Sequence, residues 1–127
     1  MPTGGIKPYL AARILTKRAD FLRVKTHGSR ASSLSLALQY LADPTEPDVA
    51  VGFTCAKRSF GTGVASNRGR RRLKAAWQQA VADAKPGYLY VVVGKLPVLD
   101  LPFPALVAEL KAALARVPPA APATAQP

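Results

Sequence analysis

The sequence predicts a single α+β domain in which helices pack on one mixed sheet. Two segments, 34–40 and 49–55, alternate between large apolar residues and small or polar ones, which is typical of half-buried strands. A third segment, 88–93, is β-branched and aromatic on both faces, as expected of a central strand. Between them, a cationic stretch leads into an apolar pattern of helical period. With 127 residues, the chain is long enough for one hydrophobic core and too short for two.

The N-terminal third predicts one short helix and one short strand. Residues 1–13 carry glycine, proline and cations without periodicity, so we expect a flexible arm. Thr16 is a suitable N-cap for a helix that ends at Gly28. A brief strand or a turn at 29–31 follows. Counted as a strand, it brings the sheet to four strands and the element order to α-β-β-β-α-β-α.

The two alternating strands are joined by a turn-rich acidic loop. This loop spans residues 43–48, and Pro44 and Pro47 restrict its backbone. A short link between two strands of this kind favours an antiparallel hairpin. We therefore expect the strands 34–40 and 49–55 to be neighbours.

The cationic stretch 67–74 predicts the start of a helix that ends at Pro86-Gly87. Apolar residues from Leu73 to Ala84 recur at helical spacing and cover an arc of roughly 140°. Arg70 lies at the seam of this arc, so covering the apolar side of the helix is an alternative to anion binding for this residue. Cations in a first helical turn are disfavoured by the helix dipole, so their presence favours binding of a polyanion over a merely solvated basic face.

The C-terminal third predicts a strand and a last helix. The strand 49–55, the basic helix and the strand 88–93 form a β-α-β unit whose strands can be parallel, and the general rule for such units predicts a right-handed crossover. After a proline-rich loop, an amphipathic helix spans 106–117. From Pro118 onward the chain consists of Pro, Ala and a few polar residues, and we expect a disordered tail. The predicted domain is therefore 14–117.

Composition favours a nucleic-acid partner. The net charge is +11 and the pI about 10.4, which attracts nucleic acid or an anionic membrane. The sequence shows no long apolar run and no signal peptide, so a membrane is the weaker choice. The single Cys55 fits a reducing cytoplasm. With one histidine, His27, and scattered acids, neither a metal-ligand set nor a hydrolytic triad is visible.

Two segments resemble the protein subunit of bacterial ribonuclease P. They are Val51-Gly-Phe-Thr-Cys-Ala-Lys-Arg58, a hydrophobic strand ending in two cations, and Asn67-Arg-Gly-Arg-Arg-Arg-Leu-Lys74, a cationic helix start. Weaker matches are Asp20-Phe21 with Val24 and His27-Gly28, the run 87–93, and the helix 103–117. The resemblance covers residues 14–117. Ser66 stands where the family has the first arginine of its Arg-Asn-Arg pattern.

The resemblance implies a non-catalytic partner of a large catalytic RNA. In that family, the RNA holds Mg²⁺ and removes the 5′ leader of precursor tRNA in the cytoplasm, and the protein itself needs no cofactor. The fold carries an unusual left-handed β-α-β crossover. The basic helix meets the catalytic RNA, and a groove between the first helix and the sheet takes the leader.

The resemblance also implies site residues. For contact with ribonuclease P RNA, the matching positions are Asn67, Arg68, Arg70, Arg71, Arg72 and Lys74, with Lys57 and Arg58 extending the patch. For the leader of precursor tRNA, they are Phe21, Lys17, Arg18, Lys25, His27 and Tyr40, with Gln39 as the alternative to Tyr40. We predict no catalytic and no metal-binding residue. For Phe21, burial in the core is the stronger alternative to base stacking.

Two other functions fit parts of the sequence. A general RNA-binding or RNA-chaperone module explains the charge but not the strand–turn–helix pattern. A protein-interaction domain with a basic helix requires exposed periodic apolar residues, which are nearly absent.

Overall fold

The structure, a computed structural model, describes residues 12–46 and 49–118. The strands are β1 (Ala12–Ile14), β2 (Ser29–Ser32), β3 (Leu36–Ala42), β4 (Val49–Thr54) and β5 (Tyr88–Gly94). The helices are α1 (Arg18–His27), α2 (Lys57–Phe60), α3 (Gly63–Ala80) and α4 (Phe103–Ala115), with 3₁₀ turns at Val81–Asp83 and Leu96–Leu99. The predicted α+β class and single mixed sheet are confirmed.

The sheet has five strands in the order β1-β4-β5-β3-β2, so the predicted count of four is wrong. The additional strand, β1, pairs in parallel with β4, with Ile14 opposite Val51. Its three residues are too few to show an alternation pattern, and they fall at the boundary of the predicted flexible arm. The remainder of that arm, 1–11, and the residues 119–127 of the predicted tail lie outside the described residues.

The predicted hairpin between β3 and β4 is also wrong, because β5 lies between them. β5 pairs antiparallel with β3 and parallel with β4. It is buried along nearly its whole length, as predicted for the strand 88–93. A central β-branched strand buries more apolar surface than a two-strand hairpin does, and this outweighs the local preference of a short link.

The β4-α3-β5 crossover is left-handed, as the family resemblance implies and against the general rule. Val51 packs in the same core cluster as Leu73 and Trp77 of α3, so its side chain points to the α3 side of the sheet. Viewed from that side with β4 running upward, an L-residue in this position directs its carbonyl to the right. The Val51 carbonyl accepts a hydrogen bond from Leu15 N (2.8 Å), just after β1. Thus β1 lies to the right and β5 to the left, with α3 in front. A right-handed crossover would place β5 to the right of β4 in this view.

Two apolar clusters lie on opposite faces of the sheet. The larger one joins α3 and α4 to the sheet, and Trp77 is its largest fully buried side chain. The predicted apolar face of the basic helix is therefore confirmed. The smaller cluster lies under α1 and contains Leu15, Val24 and Leu89. Because α1 is short and covers only part of its face, some of the sheet on that side stays open.

Helix α3 begins at Gly63, one turn before the predicted start. Thr62 is its N-cap, and Thr62 Oγ1 accepts a hydrogen bond from Ala65 N (3.0 Å). Asn67 therefore lies beyond the first turn, so the helix dipole does not disfavour the cations that follow it, contrary to the prediction. The free N–H groups of the helix start belong to residues before Asn67. The N-cap predicted for α1 is also wrong, since Lys17 and not Thr16 occupies that position.

Candidate nucleic-acid interface

Three cations of α3 form an exposed face. Arg68, Arg71 and Lys74 follow one another at intervals of three residues, so they lie along one side of the helix, and all three are exposed. None of them takes part in a salt bridge within the described part of the chain. We call these three residues, together with Lys57 and Arg58, the cationic face. Its charges are available to an external anion.

The short helix α2 places Lys57 and Arg58 beside α3. Both are exposed, while Phe60 at the end of α2 is buried. Gly69 allows this contact, because a Cβ at that position would lie 2.9 Å from the Phe60 ring and 3.0 Å from Cys55 Sγ. The packing of Phe60 against Gly69 thus orients α2 so that its two cations extend the surface of α3.

Arg72 does not belong to the cationic face. Its side chain is half-buried, Nε donates to the Val98 carbonyl (2.8 Å), and Nη2 donates to the Leu101 carbonyl. These bonds tie α3 to the 3₁₀ turn before α4. The predicted RNA contact of Arg72 is therefore corrected. Its side chain points from α3 toward the segment before α4 and stabilises the packing of these two parts of the chain.

Arg70 is half-buried and held by residues one turn earlier. Nη1 donates to Ser66 Oγ (3.2 Å), and Nη2 donates to Asn67 Oδ1. Ser66 is itself buried, and its hydroxyl donates to the Cys55 carbonyl (2.5 Å). Burial raises the pKa of the Cys55 thiol to about 11, against the opposing influence of the Arg70 charge, so this thiol is inert.

A second feature, a groove of about 610 Å³, lies between α1 and the open part of the sheet. Its floor follows the strand register, with Gln39 opposite Val91 and Val91 opposite Gly52. Arg30 on β2 continues the same row, since it pairs with Gln39. The lining residues are Thr16, Arg18, Phe21, Leu22, Lys25, Arg30, Gln39, Phe53, Thr54, Val91 and Val93.

The groove combines exposed cations with apolar and amide side chains. Arg18, Lys25 and Arg30 are exposed and line it. Phe21 is half-buried and rests on the sheet at Gly52, where a Cβ would lie 2.5 Å from its ring. Gln39 is 8% exposed, but its amide atoms are not among the buried polar atoms that lack a partner in the described chain. The amide therefore still reaches solvent and offers a donor and an acceptor at the floor of the groove.

Of the six leader residues predicted, three line the groove. Phe21, Arg18 and Lys25 do, whereas Lys17 and His27, although exposed, do not. Tyr40 is wrong for this groove, because its ring packs edge-to-face on Tyr88 on the opposite face of the sheet. Lys17 is the N-cap of α1 and His27 is its last residue, so the three residues that line the groove lie between them along the helix.

Sequence reasoning missed several groove residues. Arg30 lies in a strand too short for its facing to be predicted, although its pairing with Gln39 puts both on the same face. The sequence pattern does not distinguish Thr54, Val91 and Val93 from other strand residues. Phe53 also lines the groove, but its ring contacts Trp77 edge-to-face (6.1 Å between centroids) on the other side. It therefore offers no stacking surface there.

The described residues contain no group of three or more His, Cys, Asp or Glu side chains placed to hold a metal ion. Within the same residues, no helix combines the length and the apolar character needed to cross a bilayer.

The profile of one protein family, Ribonuclease P, matches residues 11–118. The ribonuclease P protein component of Paramagnetospirillum magneticum is 41% identical to this chain over 115 residues, which are 85% of this chain and 86% of the relative. The corresponding protein of Ruegeria pomeroyi is 33% identical over 107 residues, covering 82% and 85%.

Solved structures show the same fold. The RNase P protein from Thermotoga maritima superposes with a TM-score of 0.71 at 16% identity, over 83% of this chain and 97% of that one. The RNase P protein of Staphylococcus aureus gives a TM-score of 0.68 at 17% identity, over 80% and 92%. The chain therefore belongs to the ribonuclease P protein family, whose members are the accessory protein component of an endoribonuclease of tRNA processing.

Proposed function

We propose that this protein binds ribonuclease P RNA through the cationic face. The observation that carries the proposal is that Arg68, Arg71 and Lys74 are exposed and form no salt bridge with any described residue, on a helix whose opposite side is fixed in the core. Guanidinium groups bind phosphates with paired, planar hydrogen bonds, and the rigid helix keeps their spacing constant. Side chains cannot read the deep, narrow major groove of folded RNA, so proteins bind such RNA mainly through its backbone and shape.

We further propose that the groove under α1 binds the 5′ leader of precursor tRNA. A single strand needs cations for its phosphates and a flat apolar surface for its bases. Arg18, Lys25 and Arg30 provide the first, and the exposed side of Phe21 provides the second. The groove and the cationic face are formed by different helices, so the two RNA partners do not compete for the same side chains.

The proposal includes a cytoplasmic location and a catalytic role for the RNA alone. Cleavage of the leader would use Mg²⁺ that the RNA holds, and the protein would increase the affinity for precursor and stabilise the active assembly. The chain's own residues bind and orient RNA; we assign none of them a chemical step.

The test is a reconstituted cleavage assay. Precursor tRNA and ribonuclease P RNA are incubated at low Mg²⁺ with the protein, with a variant carrying Arg68→Ala, Arg71→Ala and Lys74→Ala, or with Lys111→Ala. Lys111 is an exposed cation of α4 that is not part of the cationic face, and it is the control for loss of one positive charge elsewhere on the surface. We expect stimulation by the wild type and the control, and little by the triple variant.

Three outcomes would contradict the proposal. Cleavage by the protein without RNA would overturn its accessory role. Absence of stimulation by a protein that still binds RNA would favour the general RNA-chaperone function. Equal stimulation by the triple variant would show that the cationic face is not the contact surface.

For the groove, the affinity of the assembled enzyme is compared for precursor tRNA with and without its leader. We expect Phe21→Ala to lower affinity only for the leader-bearing RNA, because base stacking contributes about 1–3 kcal/mol per base. A similar loss for both RNAs would mean that Phe21 acts through the fold.

A further inference from the structure

Ser66 carries no charge where the family pattern has an arginine, yet a guanidinium lies next to it. The side chain of Arg70 runs back along α3 by one turn, as long helical side chains do, and ends between Ser66 and Asn67. The surface over residue 66 therefore has a positive charge that comes from residue 70.

The single hydroxyl hydrogen of Ser66 determines the directions of these hydrogen bonds. A serine hydroxyl has one hydrogen, and Ser66 donates it to the Cys55 carbonyl at 2.5 Å. Ser66 Oγ can then only accept, and it accepts from Arg70 Nη1. The carbonyl of the Asn67 amide accepts from Nη2. Since Ser66 is buried and bonded to Cys55, directly after β4, the anchor for the guanidinium is rigid.

The charge of Arg70 has no carboxylate partner within the described residues. Among the described residues, the guanidinium is bonded only to two neutral oxygens, and each terminal nitrogen keeps one N–H group that these bonds do not use. A half-buried cation held by neutral groups and presenting fixed donors is suited to a phosphate oxygen. Because its orientation is set before binding, less side-chain entropy is lost when the anion arrives.

We propose that Ser66 and Asn67 are positioning residues that hold Arg70 for a phosphate of the ribonuclease P RNA. This inference rests on the proposed function and deepens it. Asn67, which the sequence predicted to contact the RNA directly, instead acts through Arg70 in this proposal. Ser66 does not replace the charge of the family's arginine; it orients the arginine that does.

The test is a double-mutant cycle on the affinity for ribonuclease P RNA, measured as a function of salt. We expect Arg70→Ala to lower affinity and to reduce the slope of log K against log salt by about 0.9 at most. Asn67→Ala and Ser66→Ala should each weaken binding by about three- to tenfold and leave the slope unchanged, because ordering is lost but no charge is. In the Arg70→Ala background, both effects should disappear.

Arg71→Ala provides the control background. Arg71 makes no hydrogen bond to Ser66 or Asn67, so Asn67→Ala should retain its full effect there. Ser66 is buried and its variant can lose stability, whereas Asn67 is exposed, so the Asn67 cycle decides the question even if Ser66→Ala unfolds.

Equal effects of Asn67→Ala with and without Arg70 would overturn the positioning role, and so would unchanged binding by Arg70→Ala. If Arg71→Ala still weakened binding in either case, the proposed function would stand without this inference. A wild-type protein that does not bind the RNA would remove both.

Discussion

The salt dependence of RNA binding distinguishes cations that contact RNA from cations that stabilise the fold. Arg71 and Arg72 are adjacent in sequence and carry the same side chain, but Arg71 is exposed and Arg72 is bonded to two backbone carbonyls. Arg71→Ala should weaken RNA binding and leave the melting temperature nearly unchanged. Arg72→Ala should do the reverse, since it leaves two carbonyls without their donors.

The size of the effect follows from counterion release. Each phosphate neutralised contributes about 0.7–0.9 to the slope of log K against log salt. Removal of Arg68, Arg71 and Lys74 together should therefore reduce the slope by about 2–2.7. For Arg72→Ala the slope should stay constant, and the free energy of unfolding should fall by about 1–3 kcal/mol for the unsatisfied groups.

The measurement is a filter-binding or anisotropy titration with ribonuclease P RNA at several monovalent salt concentrations and constant Mg²⁺. Thermal unfolding of the same variants without RNA gives the stability. If Arg72→Ala changed the slope as much as Arg71→Ala, or if the triple variant kept the wild-type slope, the assignment of these side chains would be refuted.

Three further predictions concern the core, the groove and acid stability. Trp77→Ala should lower the free energy of unfolding, measured by chemical denaturation, by about 3–5 kcal/mol, because Trp77 is 1% exposed. Trp77→Phe should cost less, since it also removes a buried indole N–H that has no partner in the described part of the chain. Arg30→Ala should weaken leader binding by up to about fivefold, the equivalent of 1 kcal/mol, whereas Tyr40→Phe should not alter it, and equal effects would exclude the groove. Hydrogen bonds from Thr45 hold the pKa of Asp43 below its usual value. Asp43 therefore stabilises the fold above the unfolded-state pKa of about 4, and this contribution is lost as the pH falls through the lowered folded-state pKa. Asp43→Asn should make the free energy of unfolding less dependent on pH in the acid range.

The local pattern of the sequence was sufficient for most elements. Alternation identified β3 and β4, and helical periodicity identified the buried side of α3 with Trp77 at its centre. These signals are reliable because each depends on one residue and its near neighbours. By contrast, β1 is only three residues long and gains its stability from pairing with β4, so its sequence has no pattern of its own.

The order of the strands and the roles of individual cations depended on distant contacts. The periodicity of α3 gives each arginine an angle around the helix but not the neighbour found at that angle. Arg72 stabilises the fold because it bonds to a carbonyl of the 3₁₀ turn before α4. Arg70 is held by Ser66, which is itself bonded to the Cys55 carbonyl directly after β4. Similarly, alternation shows that Gln39 and Tyr40 face opposite sides, but only the position of α1 decides that Gln39 faces the groove.

The sequence by itself determined the charge, most of the elements and the buried face of the basic helix, because these follow from composition and from periods of a few residues. The tertiary structure alone decided which cations stay exposed, which strands are neighbours and on which side of the sheet the groove opens. Those properties depend on contacts between segments far apart in the chain, and no local pattern of residues records them.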